Sequence, residues 1–112
     1  MPSSRNRGST SNAPRATRVL LSEAARADLA RYPHLAARFA SRIETLAARP
    51  DRGHPFTGIL AGTRSLELTH RDGGFRAVYR WNRVSSYVIV FAIGPHATVY
   101  ATATGRYPPP AP

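Results

Sequence analysis

The chain of 112 residues has no cysteine and no lysine, only six acidic residues, one tryptophan and one methionine. Without thiols there is neither a disulfide framework nor a thiolate metal site. His34, His54, His70 and His96 show no metal-ligand spacing, so no metal or other cofactor is expected. No apolar run approaches the roughly 18 to 20 residues that a membrane helix needs, and the N-terminus has no apolar segment of signal-peptide type. Membrane association is therefore not expected, and the default compartment is the cytoplasm. Scarcity of acid has the opposite effect, because it opens a possibility. Sixteen arginines against six carboxylates give a formal charge of +10, which favours a polyanionic partner. Arginine suits bidentate phosphate contacts and stacking on bases, but an Ala-, Arg- and Pro-rich composition without lysine equally fits GC-rich coding. The summed charge, not the choice of arginine, carries that inference.

The length makes room for one domain. Residues 1–16, with Arg5, Arg7 and Arg15 among Ser, Asn, Gly and Pro, read as a disordered basic leader, 17–106 as the folded domain and 107–112 as a Pro-rich tail. Arg18 to Leu21 reads as a short strand. Ser22 is a good helix N-cap with Glu23 in the first turn, and that helix should end at Arg31 or Tyr32. Pro33 fits the first turn of a second helix reaching about Ala48, in which Leu35, Phe39, Ile43 and Leu46 form one apolar stripe while Arg38, Arg42 and Arg49 fall on a solvated face. Asp51 to Gly58 reads as an ordered loop that places Arg52 and His54 at a site rim.

Three strands should follow. Thr63 to His70 alternates, with Arg64, Leu66, Leu68 and His70 on one face and Ser65, Glu67 and Thr69 on the other, before a turn at Arg71 to Gly74. In Phe75 to Asn82 the core face carries Phe75, Ala77, Tyr79 and Trp81, leaving Arg76, Val78 and Arg80 on an open face. Tyr87 to Ile93 is apolar on both faces, as in a central strand, and stops at Gly94-Pro95-His96. Glu67 and Arg76 would meet across the first strand pair, either as a structural ion pair or as a paired base and cation. The threonines at 98, 102 and 104 and Gly105 argue against a long terminal helix.

These residues in this order, Phe-Arg-Ala-Val-Tyr-Arg and then Val-Ile-Val-Phe-Ala-Ile-Gly-Pro-His with a terminal Val-Tyr, resemble the RelE/ParE superfamily of type II toxins from Arg18 to about Arg106. The resemblance implies an α+β fold, a small antiparallel β-sheet with an N-terminal strand and a helical hairpin packed on one face. In the RelE-like branch it implies an endoribonuclease cutting messenger RNA in the ribosomal A site, with a cognate antitoxin as partner and DNA reached only indirectly through the antitoxin complex. A ribose 2′-OH attacks the adjacent phosphate there, so a base, a phosphate holder and an acid are required, and no metal. Arg76 matches the strand arginine that holds the phosphate. His96 stands where RelE has an arginine and is suited to act as general acid, and Tyr100 matches the tyrosine that stacks on a base or orients the nucleophile. Glu67 and Thr69 replace two basic residues. Glu67 is then either the general base or the partner that quenches Arg76. Arg71, Arg80, Arg83, Arg52 and His54 are the candidate nucleic-acid contacts. ParE-like members share the fold and poison DNA gyrase through protein contacts, which is the alternative, together with a catalytically degenerate binding protein.

Overall fold

A computed structural model describes residues 16–69 and 74–112. Its elements are β1 (Arg18–Leu21), α1 (Glu23–Ala30), α2 (Ala36–Glu44, continued by a 3-10 turn at Thr45–Ala47), β2 (His54–Pro55), a 3-10 turn at Gly58–Leu60, β3 (Thr63–Thr69), β4 (Phe75–Asn82), β5 (Tyr87–Pro95) and α3 (His96–Arg106). The strands form one sheet in the order β1-β5-β4-β3-β2. β1 runs parallel to β5, and the other neighbours are antiparallel. The fold is α+β, as expected. The leader, apart from Ala16, lies outside the described residues, as do His70 and Arg71.

Local chemistry accounts for the first layer. Ser22 accepts a hydrogen bond from the Ala25 amide at 3.1 Å and so caps α1. The stripe on α2 is real: Phe39, Ile43 and Leu46 are fully buried against Leu66, Ala77, Tyr79, Val88 and Val90. Pro33, however, lies three residues before α2 rather than in its first turn; α2 follows Leu35, whose amide bonds to Tyr32 O in a separate turn. Residues 51–58 are not wholly loop either, since His54–Pro55 pairs with β3 as an edge strand.

The larger correction concerns the other face of the sheet, which is covered. α3 is a helix of 11 residues that runs through Gly105 to Arg106. It buries Val99 and Ala103, one turn apart, against Val78, Phe91, Ala92 and Leu60 in a second apolar cluster. That burial outweighs the poor helix propensity of the threonines, whose hydroxyls at 102 and 104 bond back to the carbonyls of Thr98 and Tyr100. The tail contributes as well: Tyr107 packs on this cluster and donates to Ala61 O at 3.2 Å.

β5 adapts to two cores through a bulge. Its register with β4 passes from Val78↔Ala92 to Tyr79↔Val90, leaving Phe91 without an opposite residue. Phe91 and Ala92 therefore both face α3, while Val90 and Ile93 face α1 and α2. On the other edge β1 pairs only as far as Leu21↔Val90. The next β5 groups are satisfied by side chains instead: Ile93 N–H donates to Asp28 Oδ2 at 2.9 Å, and Phe91 O accepts from Arg106 Nη1 at 2.9 Å. Arg106 also donates to both carboxylate oxygens of Asp28, at 2.6 and 3.0 Å. This hydrogen bonding to Asp28 raises the Arg106 pKa above its ordinary value.

Candidate functional site

The sheet end where β4 begins and β5 finishes brings together the four catalytic candidates, Glu67, Arg76, His96 and Tyr100. In the β3–β4 register Arg76 stands opposite Glu67, and in the β4–β5 register opposite Gly94. Arg76 Nη2 lies 3.5 Å from Glu67 Oε2, with the two side chains 19% and 35% exposed. Arg76 Nη1 also donates to Phe75 O at 3.3 Å. The guanidinium therefore folds back toward Gly74, which makes room for it. Gly74 has φ +78, and a Cβ there would sit 2.6 Å from Arg76 Nη1 and 2.7 Å from Thr69 O. Arg42, read in the sequence as a solvated residue, donates its Nε–H to Glu67 O at 3.0 Å and ties α2 to the strand beneath the ion pair.

α3 supplies the other half. Pro95 precedes it in an extended conformation with φ −61 and ψ 145, and the His96 amide donates to Gly74 O at 3.0 Å. That bond fixes the first residue of α3 two positions along the chain from Arg76. His96 is exposed, and its ring meets the Tyr100 ring edge-on at 5.2 Å, as expected for residues four apart on a helix. Tyr100 meets Phe56 edge-on at 5.2 Å. Phe56 was absent from the sequence reading, because only the return of α3 across the sheet brings the two rings together.

The remaining candidates separate. His54 is exposed and stands opposite Ser65, on the face that carries α3, and Arg52 is exposed in the preceding loop. Arg80 and Arg83 are exposed toward the far end of β4. Five residue steps of strand, about 17 Å, separate Arg76 from Trp81, whose ring Arg83 covers at 4.5 Å. Arg71 lies outside the described residues. Among the described residues no three His, Cys, Asp or Glu side chains gather in a metal-binding group, and no helix is long and apolar enough to cross a membrane. The rim thus presents a carboxylate–guanidinium pair, an exposed imidazole and a phenol.

A model of the ParE toxin of the type II toxin-antitoxin system parDE matches residues 19–100. The chain belongs to this toxin family. Among solved structures, the toxin-antitoxin complex RelBE2 from Mycobacterium tuberculosis contains a chain 26% identical to this toxin, with TM-score 0.62, covering 72% of it and 99% of that chain. A double arginine-to-alanine mutant of toxin RelE from E. coli, in the free state, is 20% identical with TM-score 0.64, covering 82% and 98%. The YoeB/ParE toxin from Agrobacterium tumefaciens is 20% identical with TM-score 0.57, covering 71% and 99%. No curated protein matches significantly. The toxin is therefore a RelE/ParE superfamily member of type II.

Proposed function

We propose that this toxin is an endoribonuclease that cuts messenger RNA in the ribosomal A site by 2′-OH attack, and that a cognate antitoxin holds it inert. The observation that carries the reading is the bond from His96 N–H to Gly74 O, which sets the imidazole-bearing end of α3 beside the glycine against which the Arg76 guanidinium lies. Arg76 would hold the scissile phosphate and the charge that builds on it. Glu67 would take the 2′-OH proton, and His96 would protonate the departing 5′-oxygen. Tyr100, braced by Phe56, offers a ring for a base to stack on. His54 and Arg52 extend the contact surface. An antitoxin fits the basic balance of the chain: an acidic or amphipathic segment laid over Arg76 and the start of α3 blocks phosphate access. The RelBE2 complex, in which a toxin of this fold is bound by its antitoxin, supports that partner.

One observation favours the second reading, a ParE-like gyrase poison. Arg76 is mostly buried and already engaged by Glu67, so a phosphate must displace a carboxylate to reach it. Tightly controlled expression separates the two. Ribosome-dependent cuts in mapped mRNA support the nuclease, whereas intact mRNA with altered plasmid supercoiling supports gyrase as the target.

A further inference from the structure

At the opposite end of the sheet from Arg76, a cavity of about 200 Å³ opens between Pro55, Gly62, Thr63, Arg64, Trp81 and Arg83. Its walls hold two guanidinium groups and an indole, and no carboxylate. Arg83 Cζ lies over the Trp81 ring, 4.5 Å from the centroid, and Arg83 is exposed, so a guanidinium and an indole meet at the mouth of the cavity. Arg64 is pinned: its Nη1 donates to Asp51 O at 3.1 Å and to Gly53 O at 2.8 Å, which holds the guanidinium in one place through two backbone carbonyls, near enough to the Asp51 carboxylate to help lower its pKa. Asp51, the acid closest in sequence to that loop, is engaged by Arg49 at 3.1 Å. The cavity is below the roughly 300 Å³ at which pockets for drug-sized ligands begin, so it suits one planar ring rather than a peptide anchor.

We propose that this cavity is a subsite for one nucleotide of single-stranded nucleic acid, with the base stacked on the Arg83–Trp81 pair and its phosphate against Arg64. Aromatic and guanidinium planes accept any base through its π-face, while a fixed cation tracks the backbone. An acidic peptide would use only the charge and leave the stack unfilled. The subsite does not depend on the chemistry proposed at the Arg76 rim, because it binds without cutting.

Trp81 is the sole tryptophan, so its fluorescence reports the site directly in the full-length toxin. A short oligouridylate and a DNA oligonucleotide of the same length, which has no 2′-OH to react, should both quench it saturably. Arg83→Ala, at an exposed position, should weaken binding of a labelled oligonucleotide, read by anisotropy, by about tenfold with the salt slope unchanged, as expected for loss of stacking. Arg64→Gln should instead lower the log–log salt slope by about 0.7, the share of one phosphate on a single strand. Equal quenching by polyglutamate or by inorganic phosphate overturns the proposal, as does wild-type oligonucleotide binding by both Arg83→Ala and Trp81→Phe. A failure of the nuclease reading, seen as intact mRNA on ribosomes, leaves these binding measurements untouched.

Discussion

Arg106→Met tests how the terminal helix is anchored. Asp28 is 6% exposed at its side chain, and its carboxylate receives two bonds from Arg106 and one from Ile93 N–H. Methionine keeps the apolar stem but leaves a buried carboxylate with one amide donor, and it orphans Phe91 O on that edge. Breaking a buried pair from one side costs about 3–5 kcal/mol. Because Arg106 is itself 30% exposed, water can partly reach the vacated side, and the lower end, about 3 kcal/mol, is expected. Against a domain stability of about 5–15 kcal/mol this is a large fraction, and at about 4–8 °C per kcal/mol it lowers Tm by about 12–24 °C. Urea unfolding followed by Trp81 fluorescence and circular dichroism measures it. The cycle with Asp28→Asn gives a change of sign: alone it weakens the pair and destabilises, but beside Arg106→Met it removes a stranded charge and should restore stability. A loss below about 0.5 kcal/mol for Arg106→Met, or destabilisation by Asp28→Asn in both backgrounds, refutes the reasoning.

At the rim, Arg76→Ala should lower the cleavage rate by about a hundredfold to a thousandfold, since it removes the charge that holds the phosphorane, while costing about 1 kcal/mol in denaturant unfolding. Undiminished cleavage by that variant removes Arg76 from the site. His96→Gln should slow cleavage and flatten its pH profile; a changed Tm with an unaltered profile would instead assign His96 a structural part. Tyr79 donates to Pro50 O at 2.6 Å and accepts from Gly53 N–H at 2.9 Å, and burial pushes its phenol above 10.0. The unfolded chain ionises this group first, so its stabilising contribution is intact below about pH 10 and fades as pH climbs through the folded value. Tyrosinate absorbance should show Tyr79 ionising only above about pH 10, together with unfolding, and Tyr79→Phe should cost about 1–3 kcal/mol by stranding the buried Gly53 amide. Removing 107–112 should cost far less than removing 106–112, and equal Tm values for the two truncations would contradict the Arg106 anchor.

Short-range chemistry fixed much of this molecule before any tertiary contact. The Ser22 cap, the Phe39, Ile43 and Leu46 stripe and the alternation in β3 and β4 each depend on residues within a few positions, and all stand in the structure where the pattern places them. The Glu67 and Arg76 opposition also follows from strand alternation and one turn. What sequence could not show was what covers the second face of the sheet. Threonine-rich, glycine-ended residues 96–106 have weak helix propensity in isolation, and only Val78, Phe91 and Ala92 give Val99 and Ala103 a surface to bury. The bulge at Phe91 that turns two successive side chains toward that surface leaves no local signature. Neither does the ion pair between Asp28 and Arg106, 78 residues apart, which completes the β5 edge beyond the end of β1. Arg76, His96 and Tyr100 enter as site candidates through the resemblance of their short motifs to the toxin family, which local sequence carries. Their surroundings, from Gly74 under the guanidinium to Phe56 on the phenol, were decided by where the folded chain returns.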